Sequence, residues 1–368
     1  MLSRDKKAFG GVERVALKVL LGLSGGFDSA YSARLLMQEG YEVEGAVLDM
    51  HRYTETEEAK EAARELGIPI HVISCRELFE KEVVCNFCDE YLAARTPNPC
   101  IICNERVKFR MLYDYAMAHG FDRIATGHYA RIDTTDGNAV LLGAADRAKD
   151  QSYMLYRLPQ EILRVLLLPM GNIIKKEAKE TEIAVGITAR EREESQEICF
   201  VKDENYADFI ERRVGILPGG EFVSESGEVL GTHKGIIHYT VGQRKGLGVS
   251  AASRLFVREI DTETGRIVLS DMPPRACRFV VESPVFSGMT EREVLASSGL
   301  NVRVRYTATP VPARVWRENG VLLCELETSP RVAVAYGQSA VFYDGDRVAF
   351  GGFIGKECTQ FHKYPNLS

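Results

Sequence analysis

The chain reads as an α/β protein: a doubly wound parallel sheet in its first part, then two smaller β-rich units. Three observations carry that expectation. Short apolar runs alternate with helix-length segments from Lys18 to Gly127. A glycine turn, Ser24-Gly-Gly, interrupts the first apolar run just before a helix. Beyond Cys199 glycine and β-branched residues rise, and turn pairs such as Pro218-Gly219-Gly220 and Asp344-Gly345 recur.

Val19 to Leu23 has the length of a buried strand, and Asp28 to Gln38 has helical spacing. A second strand is expected over Val43 to Met50 and a helix over Thr54 to Leu66, stopped by Gly67. Pro69 to Ser74 gives a third strand. Glu77 to Arg95 and Arg106 to His119 read as helices, with an irregular loop at Pro97-Asn98-Pro99 between them, and Arg123 to Gly127 is a further strand. An amphipathic helix follows from Asn172 to Gly186, then a polar stretch, Thr188 to Glu197. Arg254 to Ile260, Arg266 to Leu269, Asn301 to Tyr306, Ala313 to Trp316 and Ser339 to Phe342 alternate like antiparallel strands. With a boundary near residue 202 and a softer one at Pro273-Pro274, the expected units are 1–202, 203–275 and 276–368.

A length of 368 residues exceeds one comfortable core. The net charge of −6 argues against a general nucleic-acid coat, but not against a folded RNA held on a local basic face. Lys234, Arg244 and Lys245 lie in a stretch without acidic residues, and Arg303, Arg305, Arg314 and Arg317 form a second basic group. No apolar run reaches membrane-spanning length and Met1 to Glu13 has no apolar core, so a cytoplasmic protein without membrane contact is expected. Nine cysteines without a signal peptide fit a reducing compartment, where thiols serve packing, metal or redox chemistry. Cys75, Cys277, Cys324 and Cys358 stand singly and read as packing residues, as does Trp316 in a core.

Ser24-Gly-Gly-Phe-Asp-Ser29 at a strand end has the form of a phosphate cradle. Glycines clear side chains from the anion's path, and backbone N–H groups with the positive helix end face it. It is not a Walker loop, because no Gly-Lys-Ser/Thr follows. An ordinary strand-to-helix turn with Asp28 as N-cap is the alternative.

Cys85-x-x-Cys88 and Cys100-x-x-Cys103 form a pattern suited to zinc or an iron–sulfur cluster, though more closely spaced than a zinc ribbon. The same thiols fit redox or sulfur-transfer work, and Cys199 in Ser195-Gln-Glu-Ile-Cys-Phe200 is a further thiol with a possible chemical role. A helix starting just after Cys103 would hold that residue as a thiolate.

The Ser-Gly-Gly-x-Asp-Ser order resembles the PP-loop of ATP pyrophosphatases, which cut ATP between the α- and β-phosphates. Further motifs occur in the order of one PP-loop family: Thr96-Pro-Asn-Pro-Cys-Ile-Ile-Cys-Asn104, Lys108-Phe109, Ala125-Thr-Gly-His-Tyr-Ala130, Lys149-Asp-Gln-Ser-Tyr153, Ser195-Gln-Glu-Ile-Cys-Phe200 and Tyr239-Thr-Val-Gly-Gln-Arg-Lys-Gly-Leu-Gly248. Together they resemble the tRNA-specific 2-thiouridylases. Val304-Arg-Tyr306, Gly337-Gln338 and Phe342-Tyr-Asp-Gly345 match that family's C-terminal β-barrel more loosely.

The resemblance implies ATP, with Mg²⁺, on Gly22, Leu23, Ser24, Gly25, Gly26, Phe27, Asp28, Ser29, Leu48 and Gly127, with Asp28 helping to hold the metal. It implies Cys103 as nucleophile and Cys199 as persulfide carrier, the two closing a transient disulfide as sulfur passes to C2 of uridine 34. Asn98, Pro99 and Cys100 would meet the target base, and His128, Lys149, Asp150, Gln151, Arg305, Tyr306 and Gln338 the tRNA. A sulfur-donor or relay protein is implied as partner. Without the family, Gly127 would only stop a strand, Lys149-Asp150-Gln151 would be a solvated loop, Arg303 and Arg305 a strand's solvent face, and Gly242 to Gly248 a cationic hairpin turn.

Two departures stand out. Asp49-Met-His-Arg-Tyr53 leads almost directly into a helix, where family members usually continue into an Asn-Trp segment. Cys85 and Cys88 have no family counterpart, and with Cys100 and Cys103 they would complete a four-thiolate site for zinc or a [4Fe–4S] cluster; a cluster held by Cys100, Cys103 and Cys199, with one iron left open for sulfide, would displace the persulfide route. A PP-loop ligase that forms an amide, and a zinc-stabilised RNA-binding module, are the rival functions.

Overall fold

The computed structural model describes residues 16–134, 137–185, 198–202, 204–251, 253–273, 277–328 and 332–356. The polar stretch Thr188 to Glu197 and Cys358 lie outside them.

Four apolar strands, β1 (Lys18–Gly22), β2 (Glu42–Asp49), β3 (Ile70–Ser74) and β4 (Arg123–Thr126), run parallel. The chain then adds a hairpin, β5 (Arg131–Asp133) and β6 (Val140–Leu142), and a short β7 (Leu166–Leu167). The first sheet has the order β3-β2-β1-β4-β7. After β1 the chain builds outward on one side to β3, then returns to place β4 on the other. The crevice between β1 and β4 is thus the switch point where such sheets take ligands. Gly22 stands level with Thr126, so the carboxyl ends of β1 and β4 open on one place beside β2, which runs on past Ala46. Val19, Leu20 and Leu21 are wholly buried, as strands covered by helices on both faces require.

The helix expected from Arg106 begins earlier. Asn98 caps it, its Oδ1 accepting from Cys100 N–H at 3.2 Å, and Pro99 takes the first helical position, where a missing N–H costs nothing. Helix Pro99–Cys103 continues through a π-helical turn, Asn104–Lys108, into Phe109–Ala118. Pro97-Asn98-Pro99 is therefore a helix start, and Cys103 lies in the second turn. A second π-turn, Glu80–Val84, interrupts the neighbouring helical run before Cys85–Leu92.

The middle unit is a four-stranded sheet of β8 (Gly220–Ser224), β9 (Val229–His233), β10 (Phe256–Ile260) and β11 (Ile267–Ser270), in the order β10-β11-β8-β9 around Phe222, Val257 and Leu269. Helix Tyr206–Val214 packs its Phe209 and Ile210 into the N-terminal core instead, with Tyr206 stacked on Tyr91 at 4.5 Å. Gly242 to Gly248 is a loop docked on β10, with positive φ at Gly242, Gly246 and Gly248, and not a hairpin turn between strands.

The C-terminal unit is a closed six-stranded antiparallel barrel: β12 (Arg278–Val285), β13 (Asn301–Arg303), β14 (Val311–Glu318), β15 (Val321–Leu326), β16 (Ser339–Asp344) and β17 (Arg347–Gly355). Its order is β12-β15-β14-β13-β16-β17, closed by β12 on β17, which leaves no free edge. The β5–β6 hairpin continues the same sheet beside β17. Strand β13 ends at Arg303, so Arg305 leaves the expected strand face. Trp316 is half-buried on the outside of the barrel, with the Arg278 guanidinium 4.8 Å from its ring, and not in a core.

Barrel and parallel-sheet units are joined by buried polar contacts. Tyr153 OH donates to Ser339 O at 2.8 Å, Tyr156 OH meets Ser339 Oγ at 3.0 Å, and Gly351 leaves the space that the Tyr156 ring fills. Such groups are costly to bury unpaired, so these partners fix the docking register.

Candidate active site

The turn after β1 is tied to itself. Ser24 N–H donates to Ser29 Oγ at 3.2 Å, Gly26 N–H to Ser24 Oγ at 3.3 Å, and Ser29 Oγ to Gly26 O at 2.9 Å. Gly25 has φ +80, and a Cβ there would stand 2.8 Å from the Glu58 backbone, so a side chain is excluded twice over. Helix Phe27–Gln38 starts at Gly26 with no side-chain cap, which leaves the helix's first amides for an anion. Asp28 is thus not the N-cap. Its Oδ1 accepts from Tyr129 OH at 2.7 Å, and its Oδ2 pairs with Lys175 Nζ at 2.9 Å.

The turn opens on a cavity of about 700 Å³. Gly22, Leu23, Ser24, Asp28 and Ser29 line one side, Ala46 to Leu48 and Thr126 to His128 the strand ends, and Met50, His51, Tyr53, Thr54, Glu55, Lys108, Gln151, Ile198, Cys199 and Lys202 the rim. Gly25, Gly26 and Phe27 do not line it, Phe27 stacking on Tyr31 at 5.6 Å instead. Gly127 also makes room for protein: a Cβ there would meet the Asp28 backbone at 2.9 Å, so this glycine lets β4 pass the first turn of the helix.

Two of the predicted thiols adjoin the cavity. Cys199 lines it. Cys103 is buried beneath, with Sγ 3.8 Å from the sulfur of Met50, which lines the cavity. Burial pushes Cys103 up to about 12 and Cys199, crowded on its inner side though open to the cleft, to about 11. Each is near enough to Cys100 for a charge there to raise it further, and Cys199 raises Cys103. The expected thiolate at Cys103 is therefore not present: the residue sits past the helix start that would have lowered it, and desolvation wins.

Cys85 and Cys88 are elsewhere. Cys85 is exposed on a separate groove with Arg212, Arg213 and Phe209, and Cys88 is buried behind it. Among the described residues no group of three or more His, Cys, Asp or Glu side chains could hold a metal ion, so the four thiols do not form the expected zinc or cluster site.

The residues expected on tRNA divide into four groups. His128 lies in the cavity wall, its Nδ1 2.8 Å from Thr126 Oγ1; burial lowers it to about 3, so the ring is neutral. Asp150 is not a solvated loop residue. Its carboxylate is buried, accepts from Ala144 and Ser152 N–H groups at 3.1 Å each, and pairs with Arg303 at 3.2 Å. Gln151 lines the cavity while its Oε1 accepts from Tyr129 N–H at 2.9 Å, and Lys149 is half-buried beside them. Arg305, half-buried, has its Nε without a hydrogen-bond partner, and burial lowers its pKa; Tyr306 tilts against Tyr153. Gln338 donates to Thr96 O at 2.8 Å and Pro97 O at 3.4 Å, holding the segment that leads into Asn98 and Cys100.

Lys175, Tyr129 and Met50 join the site with no local signal, because each is brought there by a distant element. Lys202 faces Glu55 at 3.6 Å across the rim.

Comparison with known proteins covers nearly the whole chain. A family described as "tRNA methyl transferase HUP domain" matches residues 17–203, its PRC-barrel domain 207–271, and an "aminomethyltransferase beta-barrel domain" 278–354. The tRNA-specific 2-thiouridylase MnmA of Acetivibrio thermocellus is 39% identical over 92% of this chain and 99% of its own length. That of Clostridioides difficile is 38% identical over 92% and 98%, and one from Bacteroides fragilis 39% over 92% and 94%.

Proposed function

The chain belongs to the tRNA-specific 2-thiouridylase family, and from that membership we propose that it transfers sulfur to C2 of the wobble uridine 34 of a tRNA, using ATP. In the first half-reaction the C2 oxygen attacks the α-phosphorus of ATP, pyrophosphate leaves, and the uridine carries AMP on oxygen. The uncapped amides after Gly26 and the Ser24 and Ser29 hydroxyls hold the phosphates, and Asp28 their Mg²⁺. In the second, the terminal sulfur of a Cys199 persulfide attacks C2, and AMP departs with the old oxygen. The Cys103 thiolate then attacks Cys199 Sγ, which releases 2-thiouridine and leaves a Cys103–Cys199 disulfide for an external dithiol to reduce. A persulfide-bearing protein supplies the sulfur.

One observation carries this reading: Cys199 and the Cys103–Met50 sulfur pair adjoin the cavity into which the phosphate turn opens. A base splayed from the anticodon loop into that cleft would lie between the phosphate turn and the thiols. Asn98 caps the helix that carries Cys103 and Pro99 and Cys100 form its first turn, the stretch offered to the target base, and Arg305, with an unpaired Nε, awaits a backbone phosphate. Lys149 and Gln151 complete that tRNA face, with Asp150 fixing their loop from inside.

The test is incubation of purified protein with bulk tRNA, Mg·ATP and a persulfide donor. 2-Thiouridine and AMP are expected by nucleoside mass spectrometry in equal amounts. Absence of 2-thiouridine, with or without prior anaerobic addition of iron and sulfide, would sink the proposal.

A further inference from the structure

The thiols of this site are hard to ionise, yet each sulfur step needs an anion. The cavity has a cation placed for that work. Two lysines line it. Lys202 faces Glu55 at 3.6 Å, and outside the lining Lys175 pairs with Asp28 at 2.9 Å. Lys108 is different. It is half-buried, ends the π-turn Asn104–Lys108 that follows Cys103, and has no ion-pair or hydrogen-bond partner among the described residues. The same wall holds Leu112, Thr126 and a neutral His128, whose Nδ1 is engaged by Thr126.

A half-buried ammonium without an acceptor loses hydration and gains nothing in return, so it fits a site that receives an anion from outside. The π-turn bears on this too. One extra residue in a helical turn re-aims the side chains after it, and here it follows the thiol and ends at the lysine.

We propose that Lys108 is the catalytic cation of the sulfur-transfer half-reaction, its ammonium meeting the negative charge as it moves from the persulfide of Cys199 to the phosphate of departing AMP. The inference rests on the thiolation reading and names a residue that reading does not use. Lys108 acts on Cys100, Cys103 and Cys199 alike, in each case against the burial that raises the thiol. In the last step the same charge sits first on Cys103 and then on the uridine sulfur. No proton need leave the lysine at any stage.

Lys108→Met, Lys108→Gln and Lys108→Arg separate this from a nucleotide-binding or packing role. In single-turnover assays, the Met and Gln variants are expected to form AMP-carrying tRNA at near the wild-type rate. They should then release 2-thiouridine about a hundredfold more slowly, with Arg recovering most of the loss. The rate–pH profile of sulfur release should move to higher pH. Iodoacetamide labelling of Cys199, which needs neither tRNA nor ATP, should move the same way. Weakened Mg·ATP binding with an unmoved labelling profile would make Lys108 a nucleotide residue and overturn the proposal. So would sulfur release within threefold of wild type. Wild-type protein that makes no 2-thiouridine sinks the functional reading instead, while the labelling shift still reports on Lys108.

Discussion

The parallel-sheet unit and the barrel meet at residues 95–97 among other places, and they support the candidate site in opposite ways. On the sheet side, strand ends present chemistry directly: Ser24, Ser29, Asp28 and His128 all line the cavity. The barrel contributes no lining residue to it and acts through backbone. Thr96 N–H donates to Tyr336 O at 2.7 Å, Gln338 donates to Thr96 O at 2.8 Å, and Gly337, at φ +86, leaves no room for a side chain beside Arg95. The sheet supplies groups, and the barrel holds the thiol-bearing helix where those groups can use it.

The largest effect belongs to the thiols. Cys103→Ser and Cys199→Ser should each lower 2-thiouridine formation by about a thousandfold or more, because a hydroxyl carries no transferable sulfur and forms no disulfide. Both variants should still bind Mg·ATP like wild type in calorimetry. Joint loss of binding and thiolation would place the thiols in the nucleotide's support, and the division would fail.

Next come the glycines of the sheet side. A Cβ at Gly25 or Gly127 lies 2.8 or 2.9 Å from backbone atoms that cannot rotate away. Gly25→Ala and Gly127→Ala should each cost about 1–3 kcal/mol by denaturant unfolding and weaken ATP binding at least tenfold. Unchanged binding would show that the turn tolerates displacement and that its geometry is not the anion site.

Gln338→Ala tests the barrel side. Removing the donor to Thr96 and Pro97 should cost about 1 kcal/mol of stability and lower the thiolation rate about tenfold, with ATP affinity unmoved. A drop in ATP affinity of the same size would mean that the two units do not divide the work.

The same division explains what could be read from sequence. The parallel sheet, the glycine turn and the candidate thiols were legible because short apolar runs, Ser24-Gly-Gly and Cys-x-x-Cys are local patterns. Lys175, Tyr129 and Met50 were not, since each reaches the site from a separate element. The protonated state of Cys103 was missed for a local reason. Pro99 reads as a breaker, whereas after an Asn cap it opens a helix, which moves Cys103 from just ahead of a helix start to the second turn. Asp150 and Arg303 looked like surface charges. Only the docking of the 149–151 loop against the barrel reveals them as one buried pair.

The smallest effect concerns the link at the other end of the interface. Asp346, in the β16–β17 turn, accepts from Arg147 and, at 2.7 Å, from Arg131 of the β5–β6 hairpin. Both guanidinium contacts hold its carboxyl below the usual carboxylate range, the Arg147 hydrogen bond most of all. A carboxyl lowered in the folded state stabilises that state at pH values above its unfolded pKa, and the contribution fades as pH falls through the folded value. Asp346→Asn should therefore cost stability at pH 7 and nothing further once wild-type Asp346 is itself protonated. The group is largely exposed and screened, so the cost at pH 7 should stay below about 1 kcal/mol and shrink in high salt. Urea unfolding at pH 7 and pH 3 measures both. A larger, salt-insensitive loss, or a fall in thiolation, would show that this ion pair shares the positioning work assigned to Gln338 and Gly337.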